Sequence, residues 1–422
     1  MIGLLKIEDY TPEQYALCII LYGILHTTLF SILTTQYYTK ILEHIVLSFN
    51  ISSMYKNALI HTVVINLPRL YFVMKSDTYC SRSTITGFNA LNLSLGLGLI
   101  LLNTCSKSFI KFNSYLKDTC CLTISLISQA ICLQENTYPV FLKDATIGVF
   151  LLFLFYTLRL RDNYRQENIP VSISGTNFVY LKKISKYFSK FFYDIVVLDI
   201  ENFHKQSITS KIKTLCSPVI NTGIFNWYFK FLENTQDILI ALFLSSLIGL
   251  VLVKCAKNQS LQIINFFYGL ISTMLYSVIF IDRVPSLVQR ISSQSNINQN
   301  YMNMIFTASV IALPEILNLI YYSRLNKSSQ AICSLLYSLV LNSLFFVPLR
   351  KLINSGYTDP KYEGDRVGLS IATISLIVST FNYIMKNQKL SKDLGCVLVF
   401  IYVLYNLTFI LDPSMFITKF SN

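Results

Sequence analysis

Two apolar stretches of the sequence are each interrupted by a proline that lies next to a charged residue. The first reads VVINLPRL at positions 63–70, and the second reads SVIALPEI at positions 309–316. A proline inside a helix leaves a backbone carbonyl without its donor and bends the helix axis. In a membrane, such breaks are tolerated only where protein or a watery cavity satisfies the exposed backbone groups. Polar residues at the same depth are costly in lipid and face a pathway or one another; these are Asn66, Asn92, Glu315, Ser338 and Asn342.

Carboxylate, amide, hydroxyl and freed carbonyl oxygens are the ligands that hard cations such as Ca²⁺ prefer. The five polar residues therefore form a candidate cation site, with Pro68 and Pro314 as the breaks that shape it. Individually, each residue also has a structural interpretation. Asn92 would then bind a neighbouring helix, and Pro68 would be a packing kink. Their arrangement in two matching halves favours the functional interpretation.

The composition requires a membrane setting for these residues. The chain has 422 residues, of which 53% are hydrophobic and 14% are charged, and its mean hydropathy is +0.50. Soluble domains carry about a quarter charged residues, so too little polar surface remains to coat a soluble fold. Apolar segments of about 20 residues cross a bilayer; they occur at 14–36, 57–75, 86–104, 116–134, 141–160, 236–255, 262–281, 301–322, 330–349, 367–386 and 393–411.

The sequence contains an internal repeat that pairs the two interrupted stretches. A shift of 246 residues aligns Pro68 with Pro314 and places residues 50–70 on residues 296–316 without a gap. A shift of 250 residues aligns Asn92 with Asn342 in the apolar segments that follow. Each copy therefore contains a helix with a central proline, a polar loop and a helix with a buried asparagine. Internal repeats of this kind are typical of transporters, whose sites lie between the two copies.

The net charge of +13 does not indicate nucleic-acid binding, because the basic residues do not lie on one compact domain. Many lie between about 159 and 235, and positive loops stay on the cytoplasmic side of a membrane. We therefore divide the chain into a first transmembrane repeat (1–160), a basic cytosolic loop (161–235) and an extra helix with the second repeat (236–422). Within the loop, segment 214–231 is apolar enough to associate with the membrane. The two copies of the internal repeat lie at about 50–104 and 296–350.

No sequence motif for enzymatic catalysis is present, so the chain is not predicted to be an enzyme. The sequence has no P-loop, no H-E-x-x-H motif and no nucleophile elbow, and it has only four histidines. The ten cysteines show neither a C-x-x-C motif nor a zinc-binding spacing, and most lie in apolar segments. His61 lies two turns before Arg69 and is better explained as a histidine satisfied by a neighbouring helix than as a proton relay. We expect no cofactor.

The two repeats resemble those of the cation/calcium exchanger superfamily, and the resemblance covers residues from about 14 to 411. ALPEI (312–316) resembles the Pro-acid signature of that family. GFNALN (87–92) and YSLVLN (337–342) resemble its G-S-N-x-x-N/D signature. The resemblance implies that Glu315 is the second acidic site residue, that Asn92, Asn342 and Ser338 occupy polar ligand positions, and that Asn66 matches a small polar ligand position. It also suggests a divergent member of fungal or mitochondrial type.

The first acidic position of the family pattern is Arg69 in this sequence, which inverts its charge. Phe88 replaces the serine of the first repeat, and Ala312 and Leu339 also replace polar residues. Family members hold a dication between two opposed carboxylates. We therefore hypothesise that Arg69 and Glu315 approach each other across the pseudo-twofold axis, where the guanidinium would occupy the cation site.

The resemblance implies an all-α polytopic membrane protein with two inverted five-helix repeats, an extra helix or hairpin between them, and about 10–12 transmembrane helices. Eleven segments would leave the two proline helices parallel. We therefore expect 214–231 to form a hairpin with 236–255; alternatively, 236–255 lies on the membrane surface. The hairpin places the N-terminus on the lumenal or outer side.

The function implied is a secondary transporter that exchanges Ca²⁺ or another cation for Na⁺ or H⁺. Arg69 supports two alternatives: a transport-inactive membrane scaffold or regulatory subunit, and a transporter of changed specificity. The expected location is an intracellular membrane (endoplasmic reticulum, vacuole or mitochondrion) or the plasma membrane. The expected partners are membrane lipids and the transported cation, without nucleic acid.

Overall fold

The protein is all-α in the residues that the computed structural model describes, apart from one two-stranded ladder. These residues are 33, 39–49, 54–75, 82–104, 108–110, 112–134, 140–159, 208–257, 261–282, 284–295, 297–325, 327–346 and 363–411. The short strands β1 (Ser108–Phe109) and β2 (Lys389–Leu390) pair antiparallel. The predicted segment 14–36 and the part of the basic loop between 160 and 207 lie outside the described residues, except for Leu33.

Most of the described helices are regular along their length. They are α1 (Thr39–Ser48), α2 (Met54–Lys75), α4 (Phe112–Gln134), α5 (Val140–Arg159), α6 (Ile208–Phe229), α7 (Thr235–Lys257), α8 (Gln262–Asp282), α9 (Val284–Ser295), α12 (Glu363–Met385) and α13 (Lys392–Leu411). Apart from the short helices α1 and α9, each is long enough to cross a bilayer, because about 20 helical residues span its hydrocarbon core.

Three further helices of the described chain contain a π-helical turn. Helix α3 runs through Arg82–Leu91, the π turn Asn92–Gly96 and Leu97–Leu102. Helix α10 runs through Gln299–Met302, the π turn Asn303–Thr307 and Ala308–Arg324, and α11 runs through Ser328–Leu341 and the π turn Asn342–Phe346. Two of the turns begin at Asn92 and Asn342, the asparagines that the repeat aligns. Because π turns are rare and occur frequently at functional sites, their matched positions indicate that α3 and α11 belong to a functional site.

The internal repeat of the sequence is also a repeat of helices. The shift that aligns the two prolines, adjusted by a few residues in the loops, carries α2 onto α10, α3 onto α11, α4 onto α12 and α5 onto α13. The short helix α1 corresponds in the same way to α9. Packing follows the same equivalence: α2 packs on α11 as α10 packs on α3, and α4 packs on α11 as α12 packs on α3. The duplication predicted from the sequence therefore extends over five described helices in each half, α1–α5 and α9–α13.

The two repeats are inverted, as the resemblance implied. His61, early in α2, lies beside Asn318, late in α10, with 2.9 Å between Nε2 and Nδ2. Arg69, later in α2, contacts the carbonyl of Ile311, earlier in α10. The equivalent helices α2 and α10 therefore cross in opposite directions. In contrast, α2 and α11 run in the same direction, since Thr62 donates to the carbonyl of Ser334 and Arg69 reaches Ser338.

Contacts within the chain define two compact units. One contains α2–α5, α9–α13 and the site described below; the other contains α1, α6, α7 and nearly all of α8. In the second unit, α6 and α7 form the antiparallel hairpin that the parity of the repeats predicted. A Cβ atom at Gly249 would collide with the backbone of Leu215, so the two helices are in close contact there. Asn221 of α6 also bonds the hydroxyls of Tyr268 and Tyr276 on α8.

Part of the predicted basic loop (161–235) is helical, because α6 begins at Ile208 and includes Lys211 and Lys213. Seven of the described helices are long and apolar enough to cross a membrane, and shorter apolar helical stretches occur at Ala58–Leu67 and Thr146–Leu158. Helices α2, α4, α5 and α6 are not among the seven, so their insertion stays a prediction. The total of about 10–12 spans and the division at 160 and 235 likewise stay predictions.

Candidate ion-binding site at the repeat interface

Arg69 and Glu315 form a buried ion pair where α2 and α10 cross. Nη2 of Arg69 lies 3.0 Å from Oε2 of Glu315, and the two side chains are 7% and 4% exposed. The structure therefore brings these two residues into contact, as hypothesised from the sequence. Because the internal repeat superimposes one position on the other, their contact lies on the pseudo-twofold axis that relates the repeats.

The guanidinium also binds oxygen atoms from three further residues. Nη1 donates to Oδ1 of Asn66, one turn earlier on α2, and to Oγ of Ser338 on α11 at 3.2 Å. Nη2 donates to the carbonyl of Ile311 on α10, also at 3.2 Å. Three of the predicted cation ligands, Asn66, Ser338 and Glu315, therefore surround one positive charge, and that charge belongs to the chain itself.

A backbone carbonyl of the proline-containing helix α10 also takes part in this site. The ring nitrogen of Pro314 has no hydrogen, so the carbonyl four residues earlier, that of Val310, lacks its helical donor, although α10 is helical through Pro314. The next carbonyl, that of Ile311, accepts from Arg69. Pro314 is itself buried in α10, and the backbone of Pro68 lies at the equivalent place in α2. The site therefore takes one of its acceptors from the backbone of α10, in the turn that precedes Pro314.

Phe88 of α3 covers the guanidinium from one side. The centre of its ring lies 4.0 Å from Cζ of Arg69, within the range of a cation–π interaction. The register that aligns Asn92 with Asn342 also aligns Phe88 with Ser338, so two equivalent residues contact the same group. The sequence marks Phe88 only as a departure from a serine. The role of Phe88 could have been predicted from one feature of the sequence: an aromatic residue replaces a polar one in the same repeat in which an arginine replaces an acid.

The two asparagines of the π turns differ in their surroundings. Asn342 donates to the carbonyl of Ser338 at 2.6 Å and lies 3.4 Å from Oδ1 of Asn66, so it contacts two residues that bind Arg69. Asn92 is completely buried, and neither its amide oxygen nor its amide nitrogen has a hydrogen-bonding partner among the described residues. Four of the five predicted ligands are therefore brought together, and Asn92 makes no hydrogen bond to them.

The electrostatics of this site differ from those of a calcium site. One carboxylate faces one guanidinium, so the pair has no net charge. The five contacts of Arg69 named above stabilise it in an environment where an unpaired charge is expensive. The described residues contain no cluster of three or more His, Cys, Asp or Glu side chains that would suit a resident metal ion. The oxygen atoms are of the type that a hard cation prefers, but they point at Arg69.

Comparison with known proteins identifies the architecture. Residues 264–411 match the family model of the sodium/calcium exchanger protein. The structure matches that of the sodium-calcium exchanger NCX_Mj soaked with 2.5 mM Na⁺ and 10 mM Sr²⁺, with a TM-score of 0.52 and 12% identity over 92% of this chain and 99% of that one. The chain has the cation/calcium exchanger fold. The H⁺/Ca²⁺ exchanger CAX also matches, with a TM-score of 0.51 and 13% identity over 97% of this chain and 88% of that one.

The exchanger fold confirms the resemblance seen in the two repeats, and it makes the chain a multi-pass membrane protein. The family match falls on the second half, which carries Glu315, Ser338 and Asn342. The first half, with Arg69 and Phe88, lies outside that match. No curated protein matches the chain in sequence. The assignment to a fungal or mitochondrial branch stays a prediction.

Proposed function

We propose that the protein is a secondary active cation antiporter of the exchanger type. The observation that carries this proposal is the crossing of two inverted, proline-containing helices at a buried polar cluster. Broken helices at a repeat interface are where transporters of this kind bind their ions, and rocking of one repeat against the other exposes that place to each side in turn. Glu315, Asn66, Ser338 and Asn342 would supply oxygen ligands, with Asn92 one helix away.

Arg69 would act as a tethered cation that competes with the transported ion. An incoming cation must displace the guanidinium from Glu315 before it can bind there. Once the guanidinium has moved away, Glu315 offers one negative charge, which one monovalent cation balances. A dication would leave an uncompensated positive charge in a low-dielectric region, which is costly. We therefore expect a monovalent cation or a proton to be preferred over Ca²⁺.

Flux into vesicles that contain the purified full chain tests this proposal. Imposed gradients of Na⁺, K⁺, H⁺ and Ca²⁺ are compared for the wild type, Glu315→Gln and Glu233→Gln. Glu233 is exposed in the loop between α6 and α7, so its substitution is the matched control. We expect wild-type flux of a monovalent ion that Glu315→Gln abolishes and Glu233→Gln retains. Size-exclusion chromatography of each variant establishes that it is folded.

A second function is favoured by one specific observation. The guanidinium of Arg69 already has hydrogen-bond acceptors and a counter-charge within the protein. In this alternative the pair is a permanent lock, and the chain is a transport-inactive membrane scaffold or regulatory subunit. The same vesicles distinguish the two functions. Absence of all four ion fluxes in the wild type, with Ca²⁺ exchange appearing in Arg69→Glu, would exclude the antiporter and support the lock.

A further inference from the structure

A second buried charge pair lies in the first repeat, away from the central site. Lys117 and Asp118 are neighbours on α4, with 3.0 Å between Nζ and Oδ1, and their side chains are 10% and 0% exposed. The pair is enclosed by α5, α11 and α12, which pack against α4. Charged residues in a membrane helix that do not reach the headgroups have a partner and, in most cases, a function.

The ammonium group of Lys117 is held from several sides. Nζ donates to Oγ1 of Thr157 on α5 at 2.7 Å and to the hydroxyl of Tyr337 on α11 at 3.4 Å. It also lies 4.5 Å from the ring centre of Phe153 and 4.8 Å from that of Tyr337, within cation–π range. Lys117 is thus fixed facing inward, although its long side chain is of the kind that can reach a membrane surface.

Asp118 is much less well satisfied than its neighbour. Apart from the close approach of Lys117, neither carboxylate oxygen accepts a hydrogen bond of good geometry from the described residues. A fully buried carboxylate without hydrogen-bond donors carries a large desolvation cost. Binding of one proton to an oxygen of Asp118 removes its charge, whereas the ammonium of Lys117 keeps its contacts to Thr157, Tyr337 and the two rings.

The inverted repeat shows that the fold does not require this pair. A shift of 251 residues places Lys117 on Gly368 and Asp118 on Leu369 in α12, and the register of the preceding helices places Tyr337 on Gly87 in α3. The equivalent positions on α12 and α3 are therefore glycines, and a Cβ at Gly368 would lie only 2.8 Å from Cγ2 of Thr86 on α3. One repeat packs tightly where the other holds a lysine and a carboxylate, so the difference is specific to the first repeat.

The pair is also connected to the central site. Tyr337, which contacts Lys117, directly precedes Ser338, which binds Arg69. Both residues lie on α11, so a displacement of this helix when Arg69 leaves Glu315 would also move the contacts of Lys117. The connection joins the two charge pairs through one helix and requires no change of fold.

Among the described residues around Lys117, Asp118 is the one that carries a carboxylate. The other titratable groups are tyrosines and cysteines, which are uncharged at neutral pH at their ordinary values, together with Lys117. They are Tyr115 and Cys121 on α4, Cys333 and Tyr337 on α11, and Tyr383 on α12, whose ring stacks on Tyr115. Helix α5 contributes the hydroxyl of Thr157 and the ring of Phe153.

We propose that Asp118 is a proton-binding site of the membrane domain, held by Lys117 and linked through Tyr337 to the helix that carries Ser338. One O–H bond forms on the carboxylate as one O–H bond of a hydronium ion breaks, and the reverse takes place when the proton leaves. Its use as the coupling ion of transport is a separate step that rests on the proposed antiporter function.

Infrared difference spectra of the full chain in lipid vesicles test the proposal as the pH is changed. A buried carboxylic acid without hydrogen bonds gives a C=O band at the high-frequency end of the carboxylic-acid region. Asp365 of α12 is another buried carboxylate, so we expect the wild type to show a component of this band at low pH that Asp118→Asn lacks and Asp365→Asn retains. Asp118→Glu should restore it at a displaced frequency. Asp393→Asn, at an exposed carboxylate on α13, keeps the band and is the matched control.

Absence of this component from the wild type at every pH, or its persistence in Asp118→Asn, would overturn the proposal. This measurement needs no transport, so it stands or falls independently of the flux experiments on Glu315. For the coupling step, cation flux driven by a pH gradient is compared in the same vesicles. We expect Asp118→Asn to lose the dependence on the gradient and Asp393→Asn to retain it; an unchanged dependence in Asp118→Asn would exclude coupling through this residue.

Discussion

Arg69 and Glu315 occupy equivalent positions in two inverted repeats, and they bind each other with 3.0 Å between Nη2 and Oε2. A residue that contacts its own equivalent must lie on the axis that relates the two copies, as in an isologous interface. Two carboxylates at such a position would repel each other unless a cation lay between them. Substitution of one acid by arginine therefore places a cation at the axis as part of the chain.

The position on the axis predicts that the two charges can be exchanged. Arg69→Gln or Glu315→Gln leaves the other charge buried without its partner, which we expect to cost about 3–5 kcal/mol of stability. The double variant Arg69→Glu with Glu315→Arg recreates the pair with its direction reversed, and we expect it to recover most of the loss. Thermal unfolding of the purified variants in detergent gives the comparison. A double variant that loses the sum of both single effects would contradict the prediction.

Arg69→Glu alone is predicted to create calcium binding. It places two carboxylates across the axis, together with the oxygen atoms of Asn66 and Ser338, which suits a hard dication. Ligand at about one hundred times its dissociation constant stabilises a folded protein by about 2.7 kcal/mol. We expect Ca²⁺ to raise the unfolding temperature of Arg69→Glu, whereas the wild type does not respond. An equal rise in both proteins would show that Ca²⁺ binds elsewhere.

Phe88 is predicted to stabilise the guanidinium through its ring rather than through its volume. Phe88→Leu keeps an apolar side chain but removes the π face, so we expect a loss of about 0.5–2 kcal/mol. In Arg69→Met the cation is absent, and Phe88→Leu should then cost less. The unfolding temperatures of the four proteins complete a double-mutant cycle. Equal effects of Phe88→Leu in both backgrounds would assign its contribution to packing alone.

The sequence is sufficient to predict the parts of this site that depend on side-chain identity and on the repeat. The alignment of Pro68 with Pro314 predicts two equivalent proline-containing helices, and the equivalence of Arg69 with Glu315 predicts the contact between these two residues. The carbonyl of Ile311 is not predictable, because every residue carries a carbonyl and only the crossing of α2 with α10 brings Arg69 to this one. The role of Phe88 does not follow from the family pattern, which contains a serine there and takes no account of the charge that the residue faces.

The fold is predictable in its duplication and inversion, and less so in its local features. The π turns at Asn92 and Asn342 have no clear sequence signal apart from their shared register. The apolar character of the sequence predicts helix α6 only from 214 onward, because Lys211 and Lys213 are equally typical of a basic loop. In the structure these lysines lie in the first turns of a helix, whose later residues pack on α7.

Two glycines of the α6–α7 hairpin are predicted to respond in opposite ways to the same substitution. A Cβ at Gly249 of α7 would collide with the backbone of Leu215 on α6, whereas a Cβ at Gly223 of α6 would meet no other group within 4 Å. Gly249→Ala must therefore push the helices apart, and overpacking of this kind costs about 1–3 kcal/mol. Gly223→Ala instead favours the helix by about 0.5–1 kcal/mol, because alanine loses less backbone entropy.

Hydrogen exchange of peptides from residues 208–229 measures both effects in the intact chain. Slower exchange in Gly223→Ala and faster exchange in Gly249→Ala is the expected result, since α6 depends on its contact with α7 for part of its protection. Peptides from α13, which lies in the other compact unit, provide the internal reference within each variant. Faster exchange in both variants would mean that the protection of α6 does not depend on the close contact at Gly249.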